Sequence, residues 1–223
     1  MSYCLRPMTE EDAPILGQIE KDAFPTLWPP TPFRREMHNR LARYLVAWEA
    51  SAPAPPQAAP LPSASPSRPG NWRWPLLSRL LPRSKNAASA VNEATAAHNL
   101  VGFEGIWFMT DEAHITAIGV RSSHRGKGVG ELLLIGALEL AYLRRSRVAT
   151  LECRVSNHVA QSLYRKYGFQ DQGIRKGYYV DNNEDALIMT TSPITTPEYR
   201  ATFLRLVQAH QERWGPSTRG LGS

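Results

Sequence analysis

Cysteine is almost missing from this chain: Cys4 and Cys153 are the only two among 223 residues. Two thiols so far apart exclude a disulfide framework or a zinc knuckle. Long apolar runs are missing too. No stretch of about 18 apolar residues occurs, so no helix should span a membrane. The start, MSYCLRPMTEEDAP, lacks the basic residues and apolar run of a secretory signal. The expected location is therefore the cytoplasm. Nucleotide loops are missing as well. No GxxxxGK followed by Ser or Thr is present, and GKGVGE is one residue short of GxGxxG, which excludes ATP or a dinucleotide held in those ways. His114 and His124 have no Cys or carboxylate at ligand spacing, so no metal is expected.

Charge is present but unevenly placed. The net value of +6 would ordinarily favour nucleic acid, an acidic membrane or an anionic cofactor. Between Ser51 and His98, however, Arg68, Arg73, Arg79, Arg83 and Lys85 face only Glu93. After Thr191, four arginines face Glu198 and Glu212. What is left balances, so direct nucleic-acid binding is not expected. The hydrophobic share of 42% is enough for a sizeable core.

Composition divides the chain into residues 1–50, 51–98, 99–192 and 193–223. Nine of the 18 prolines fall between Pro53 and Pro82, in a Pro/Ala/Ser-rich insert that cannot bury a core. Within the insert, NWRWPLLSRLLPR mixes tryptophan, leucine and arginine. It reads as a docking segment for a ribosome, nascent chain or membrane surface, or as a segment that packs on its own enzyme or is disordered. On either side, periodicity predicts SYCLRPM as a strand and TEEDAPILGQIEKDAF as a helix opened by Thr9 with Asp12. PFRREMHNRLA reads as a helix with Pro32 at its first position. RYLVAWEA, NLVGFEGIWFMT and EAHITAIGV read as strands, the last two joined near Asp111. Then come a helix ending near Arg144, the strand RVATLECRV and the short helix NHVAQSLYRKYG. GFQDQGIRKGYYV is expected to run from a strand into a loop, and EDALIMTT to be the last strand. PEYRATFLRLVQAHQERWG reads as an amphipathic helix with Phe203, Leu204, Val207 and His210 on one side.

The segment HITAIGVRSSHRGKGVG joins a strand to the helix beginning near ELLLIGALELA. A helix start presents unpaired amides and a partial positive charge, and glycines let an anion reach the backbone. The turn therefore suits a phosphate. A solvated turn with glycines for geometry alone is the other reading.

Arg125-Gly126-Lys127-Gly128-Val129-Gly130 resembles the R/Q-x-x-G-x-G/A signature of the GCN5-related N-acetyltransferases (GNAT). LECRVSNHVAQSLYRKYGF and IRKGYYVDNNEDALIM resemble segments of the RimI type, the ribosomal-protein alanine N-acetyltransferases. FPTLWPPTPF, with Trp28, loosely resembles the segment shaping that type's peptide site. The likeness covers about residues 1–50 and 99–190. It implies an α/β (α+β) fold with a mixed, mostly antiparallel sheet, splayed in the middle and flanked by helices on both faces. The strands ending at Val120 and holding Glu152 should part to form the cleft. It implies acetyl-CoA as cosubstrate and a protein N-terminus, ribosomal protein included, as acceptor. Direct attack in a ternary complex is expected. The turn from Arg125 to Gly130 would hold the diphosphate, and Ile118, Gly119 and Val120 would pair with the pantetheine arm, which Asn157 would also touch. Tyr178 and Tyr179, expected in a loop, would close over the peptide with Trp28. Glu184 and Asp185 would orient that loop or simply start the strand.

Glu152 is the expected base. Alternation puts it opposite Leu151 and Cys153, where burial would raise its basicity. A surface glutamate paired with Arg154 is the bland alternative. Tyr164 is the expected acid for the leaving thiolate, although Ala160, Leu163, Tyr164 and Tyr167 also make an ordinary core stripe. Asn157 caps the helix by residue type, with Ser156 as the alternative. Cys153 is a rival nucleophile, but it points away from the Glu152 face. Two rival functions remain open: an acetyltransferase of small amines or antibiotics, and a non-catalytic acyl-CoA-binding scaffold.

Overall fold

Alternation along the strands sets the layers. The structure, a computed structural model, describes residues 2–26, 29–50 and 99–221. In β2 (Ala42–Ala50), Tyr44 and Val46 point one way, Leu45 and Ala47 the other, and all four are buried. A strand buried on both faces needs a layer on each. Helix α1 (Ala13–Ala23) supplies Leu16 and Ile19 against Tyr44, Val46 and Phe103. Helix α3 (Val129–Leu143) supplies Val129, Leu132 and Leu133 against Leu45 and Ala47. On the α1 face lies α2 (Phe33–Glu36), whose Phe33 ring meets Tyr44 and Phe103 edge-on.

The remaining strands are β1 (Ser2–Pro7), β3 (Leu100–Met109), β4 (Glu112–Val120), β5 (Val148–Arg154), β6 (Phe169–Tyr179) and β7 (Glu184–Thr191). Together they form a seven-stranded sheet in the order β1-β2-β3-β4-β5-β7-β6. Every neighbouring pair is antiparallel apart from β4 and β5. This is the mixed, mostly antiparallel sheet with helices on both faces that the resemblance implied.

The parallel pair also carries the split. β4 and β5 are in register from Glu112–Val148 to Ile115–Leu151, and pairing then stops. At the same height the β3–β4 ladder shifts between Gly105–Ala117 and Ile106–Ile115, leaving Thr116 extra. Such a bulge bends and twists its strand. It needs a glycine beside it: a Cβ on Gly105 would sit 2.6 Å from the Tyr44 ring and 2.8 Å from Thr116 Oγ1.

Helix α4 (His158–Lys166) and helix α5 (Pro197–Trp214) complete the second layer. α5 starts on Thr196, whose hydroxyl accepts from Tyr199 N at 3.3 Å. It packs Phe203 and Val207 into the cluster holding Leu134, Ile135 and Leu138 of α3. That explains why α3 is apolar nearly all round: the sheet covers one side and α5 joins the packing.

Four expectations need correction. The helix from Pro32 ends at Glu36, because the Asn39 carboxamide accepts from Leu41 N at 3.1 Å and turns the chain into β2. Pro32 is also the residue before that helix, not its first. Leu204 is exposed, while Phe203, Val207 and His210 are buried at spacings of one helical face. Tyr178 and Tyr179 lie in β6, which continues through two register shifts to Tyr179 instead of becoming a loop. Trp28 and the 51–98 insert lie outside the described residues.

Candidate functional site

The split leaves one edge of β4 open. Ile118, Gly119 and Val120 pair with Glu104, Phe103 and Gly102 of β3, while their β5 side has no strand beyond Ile115. Unpaired backbone along a furrow is a template for an extended ligand. Below it the chain enters the glycine turn. Gly126 and Gly128 have φ of 72° and 79°, values that disfavour any side chain, and α3 begins at Val129. Among the described residues, no acceptor is found for the amides of Gly126 to Glu131. A Cβ on Gly126 would meet nothing within 4 Å, so the approach is open. Arg125 and Lys127 are exposed beside it. The residues fit a diphosphate: several free amides, a helix start and two cations.

The turn is braced from two directions. The Asp22 carboxylate at the end of α1 accepts from Ser122 N at 2.7 Å, and Arg125 donates to Asp22 O at 3.1 Å. From the other side, His210 Nε2 donates to Gly128 O at 3.0 Å, and the Trp214 indole lies over Gly128, 2.7 Å from where a Cβ would stand. The sequence showed α5 as a helix but not where it docks.

Glu152 sits just past the last β4–β5 pair, on the face away from Leu151 and Cys153. Its side chain is 8% exposed. Oε2 is 3.1 Å from His114 Nε2, and Oε1 is 3.0 Å from an Arg175 guanidinium nitrogen. The hydrogen bond with His114 is the largest influence and holds the carboxyl below the ordinary range. Burial opposes it, and the charges of His114 and Arg175 add to the lowering. This overturns the expectation that desolvation makes Glu152 more basic. The bland pairing with Arg154 is also not made: Arg154 binds Asp181 at 2.9 Å and Glu184 at 3.0 Å instead.

His114 and Arg175 escaped sequence reasoning because their role depends on register. His114 stands opposite Thr150 in the parallel pair, on the same side as Glu152. Across β3 it faces Trp107, whose Nε1 donates to Glu36 at 3.1 Å.

Tyr164 projects from α4 onto Phe169, with ring centroids 5.7 Å apart. Burial, with the neighbouring Cys153 and Tyr179, raises its phenol well above the ordinary value. It stays a proton donor at any physiological pH. Asn157 accepts from Ala160 N at 3.1 Å, so its oxygen is engaged as the helix cap. Cys153 is buried, and burial lifts its thiol to about 11, which leaves little thiolate to act as a nucleophile.

The β6–β7 hairpin is pinned by its charges. Glu184 accepts from Ser156 N at 2.9 Å as well as from Arg154, and these bonds pull it down to about 2. Asp185 accepts from Lys176 at 2.6 Å and from Gly177 N at 2.9 Å. The Arg154 guanidinium lies 3.9 Å over the Tyr179 ring, and Tyr178 meets Tyr179 edge-on at 5.1 Å. Thr26, in the loop after α1, lies close enough to Asp181 to help hold its carboxyl below the ordinary range. That loop therefore reaches the hairpin beside the two tyrosines.

The acetyltransferase (GNAT) family model matches residues 60–169. Over 91 residues the chain is 52% identical to a Bacillus subtilis protein assigned as a ribosomal protein bS18-alanine N-acetyltransferase, a match covering 41% of this chain and 60% of that relative. The chain spans about 60% of the length of the curated relatives it matches first. The crystal structure of the ribosomal-protein-S18-alanine N-acetyltransferase from Escherichia coli shares the fold, with a TM-score of 0.57 and 21% identity over 87% of this chain and 95% of that one. A chain of the NatC complex bound to Gag peptide and CoA gives a TM-score of 0.56 at 18% identity over 87% of this chain and 100% of that one. Family match, relatives and split sheet agree: the chain carries an acetyltransferase (GNAT) domain.

Proposed function

We propose that this chain transfers an acetyl group from acetyl-CoA to the α-amine of a protein N-terminus, with ribosomal protein as the acceptor class. The observation that carries the reading is the split between β4 and β5, with a glycine turn at the foot of its open edge and Glu152 at its apex. The turn would bind the diphosphate through its free amides. The open edge at Ile118, Gly119 and Val120 would lay the pantetheine arm along β4, bringing the thioester toward Glu152. Asn157 would line the same arm, and Tyr178, Tyr179 and Trp28 would border the acceptor peptide.

The chemistry favours an α-amine. Its ordinary pKa is about 7.7–8.0 against about 10.4 for lysine, a gap of roughly 2.5 units or about 3.4 kcal/mol of deprotonation cost. A site whose acidic group is held low in pKa has little power to deprotonate lysine. Tyr164 is the proposed proton source for the departing thiolate: burial keeps it protonated, while making it a weaker acid than an ordinary phenol. Cys153, buried and protonated, argues for direct attack without an enzyme thioester.

Residues 1–50 and 99–192 are read as the catalytic domain, with 51–98 as an insert and 193–223 as an appended helix and tail. The cytoplasm is the proposed setting. Among the described residues no helix is long and apolar enough to cross a membrane. The test is acetyl-CoA-dependent thiol release with peptides beginning Ala, Ser, Met or Lys. The reading expects turnover of Ala- or Ser-starting peptides. Turnover of free small amines alone, or none with acetyl-CoA bound, would contradict it.

A further inference from the structure

We propose that α5, the helix appended to the acetyltransferase fold, supplies the site for the 3′-phosphate of coenzyme A, with Arg213 binding it and Trp214 holding Arg213 beside the turn. The inference rests on the acetyl-CoA reading and extends it to residues outside the family match, which ends at residue 169, whereas α5 begins at Pro197.

Coenzyme A is anionic at two places. A diphosphate joins its pantetheine arm to adenosine, and a phosphomonoester stands on the 3′ oxygen of that ribose. Such a monoester carries about −1.5 to −2 charges at neutral pH. The turn offers the diphosphate its free amides, with Arg125 and Lys127 exposed beside it. The monoester lies beyond the diphosphate, on the adenosine side, and calls for a cation of its own.

The end of α5 brings one to the turn. The Trp214 indole lies face-on to Gly128: its Cδ1, Cγ and Cδ2 stand 2.7, 2.7 and 2.8 Å from where a Cβ would be. Against the same ring rests the Arg213 guanidinium, 4.8 Å from the centroid. One indole thus joins the guanidinium to the turn. His210, one helical turn earlier and 4% exposed, fixes the placement by donating to Gly128 O at 3.0 Å.

The neighbouring charges leave Arg213 available. It is exposed, and no carboxylate partner for it is found among the described residues. Glu131, in the first turn of α3, is held by Lys166 at 2.6 Å and by the Tyr167 hydroxyl at 2.7 Å. Glu212 accepts from Gln208 at 2.9 Å. Arg219 grips Glu139 with two bonds, at 2.8 and 2.9 Å. A guanidinium stacked on a ring keeps its planar fork of N–H donors for bidentate binding of phosphate. Arg213 also sits in the last turn of α5, where a cation offsets the partial negative charge of the helix end. That role alone gives no preference between ligands with and without the monoester.

The test is calorimetry at low salt with acetyl-CoA and 3′-dephospho-acetyl-CoA, which share the thioester, the diphosphate and the adenosine. It is run on the full chain and on Arg213→Gln, Arg213→Lys and Trp214→Leu. The parent should bind acetyl-CoA about 10-fold or more tightly than the dephospho compound. Arg213→Gln should cut that ratio to about twofold or less by weakening acetyl-CoA alone, with an unchanged melting temperature to certify folding. Arg213→Lys should keep part of the ratio. Trp214→Leu should narrow it although Arg213 is still present. Added salt should narrow it in the parent. A parent that binds both compounds equally, or an Arg213→Gln chain that keeps the parent's ratio, overturns the proposal and leaves the acetyltransferase reading intact. A Trp214→Leu chain that keeps the ratio overturns the positioning role. A folded parent that takes up neither compound sinks both the proposal and the reading beneath it.

Discussion

Glu104 is the residue least at ease in its surroundings. It lies in β3 between Leu45 and Ile118, fully buried, with neither carboxylate oxygen partnered among the described residues. Burial alone pushes its carboxyl far above the ordinary 4.5, so it is carried as a neutral acid. A folded pKa above the unfolded one gives stability that is full below about pH 4.5 and is lost as pH rises toward the folded value. Glu104→Met should therefore stabilise the chain at pH 8 by about 1–3 kcal/mol and little at pH 4, read by denaturant unfolding. Equal gain at both pH values would deny the neutral-acid account. At Tyr164 the hydroxyl can be removed while the ring keeps its contact with Phe169. Tyr164→Phe should lower kcat by about 10–100-fold with unchanged melting temperature. Cys153→Ala should keep its activity, since a thiol raised to about 11 is a poor nucleophile.

Among the elements, α5 has the most specific task. Its last turns place His210 and Trp214 on Gly128, the residue in the left-handed conformation at the start of α3. His210 Nε2–H donates to that carbonyl, while its Nδ1 is buried without a partner among the described residues, so a second proton there would be buried unpaired. Burial lowers the His210 pKa, opposed by the Gly128 hydrogen bond and by Glu131, and assisted by Arg219 and Lys166. A depressed histidine gives stability that is full above about pH 6.5 and lost as pH falls toward the folded value. His210→Ala should weaken acetyl-CoA binding about 10-fold or more and leave the peptide KM unchanged, by calorimetry and initial rates. Equal loss for both substrates would make α5 a general support and not a brace for the turn. The contrast with α2 is instructive. Periodicity extended that helix to Ala42, but one local bond, Asn39 to Leu41 N, ends it early. Helix α5 was legible because Pro197, Thr196 and the apolar spacing are all within the element. Its docking partner lies more than eighty residues away in sequence, beyond any local signal.

At the scale of the molecule, the strands and the glycine turn were legible because alternation and motif spacing are local; the split was expected only through the family resemblance, and the strand order was not read at all. The pairing of His114 with Glu152 was not, because it needs the register of two parallel strands. The burial of Glu104 was not either: GFEGIW alternates well enough to leave a glutamate facing out. Residues 51–98 interrupt the chain between paired β2 and β3. Joining those strands by a short turn in place of residues 52–97 should leave peptide acetylation within about twofold, because loop length costs little. If the insert recruits the chain to a ribosome or membrane, the same deletion should change distribution in cells, and an unchanged distribution would remove that role.

The account depends most on amides from Gly126 to Glu131 gripping a diphosphate so that the thioester lies along the open edge of β4. Calorimetry comparing acetyl-CoA with acetyl-pantetheine, which has the same thioester and no diphosphate, tests this directly. The account predicts that acetyl-CoA binds and that acetyl-pantetheine binds about 100-fold more weakly or not at all. Equal affinity for the two, or no uptake of acetyl-CoA by folded protein, would contradict it.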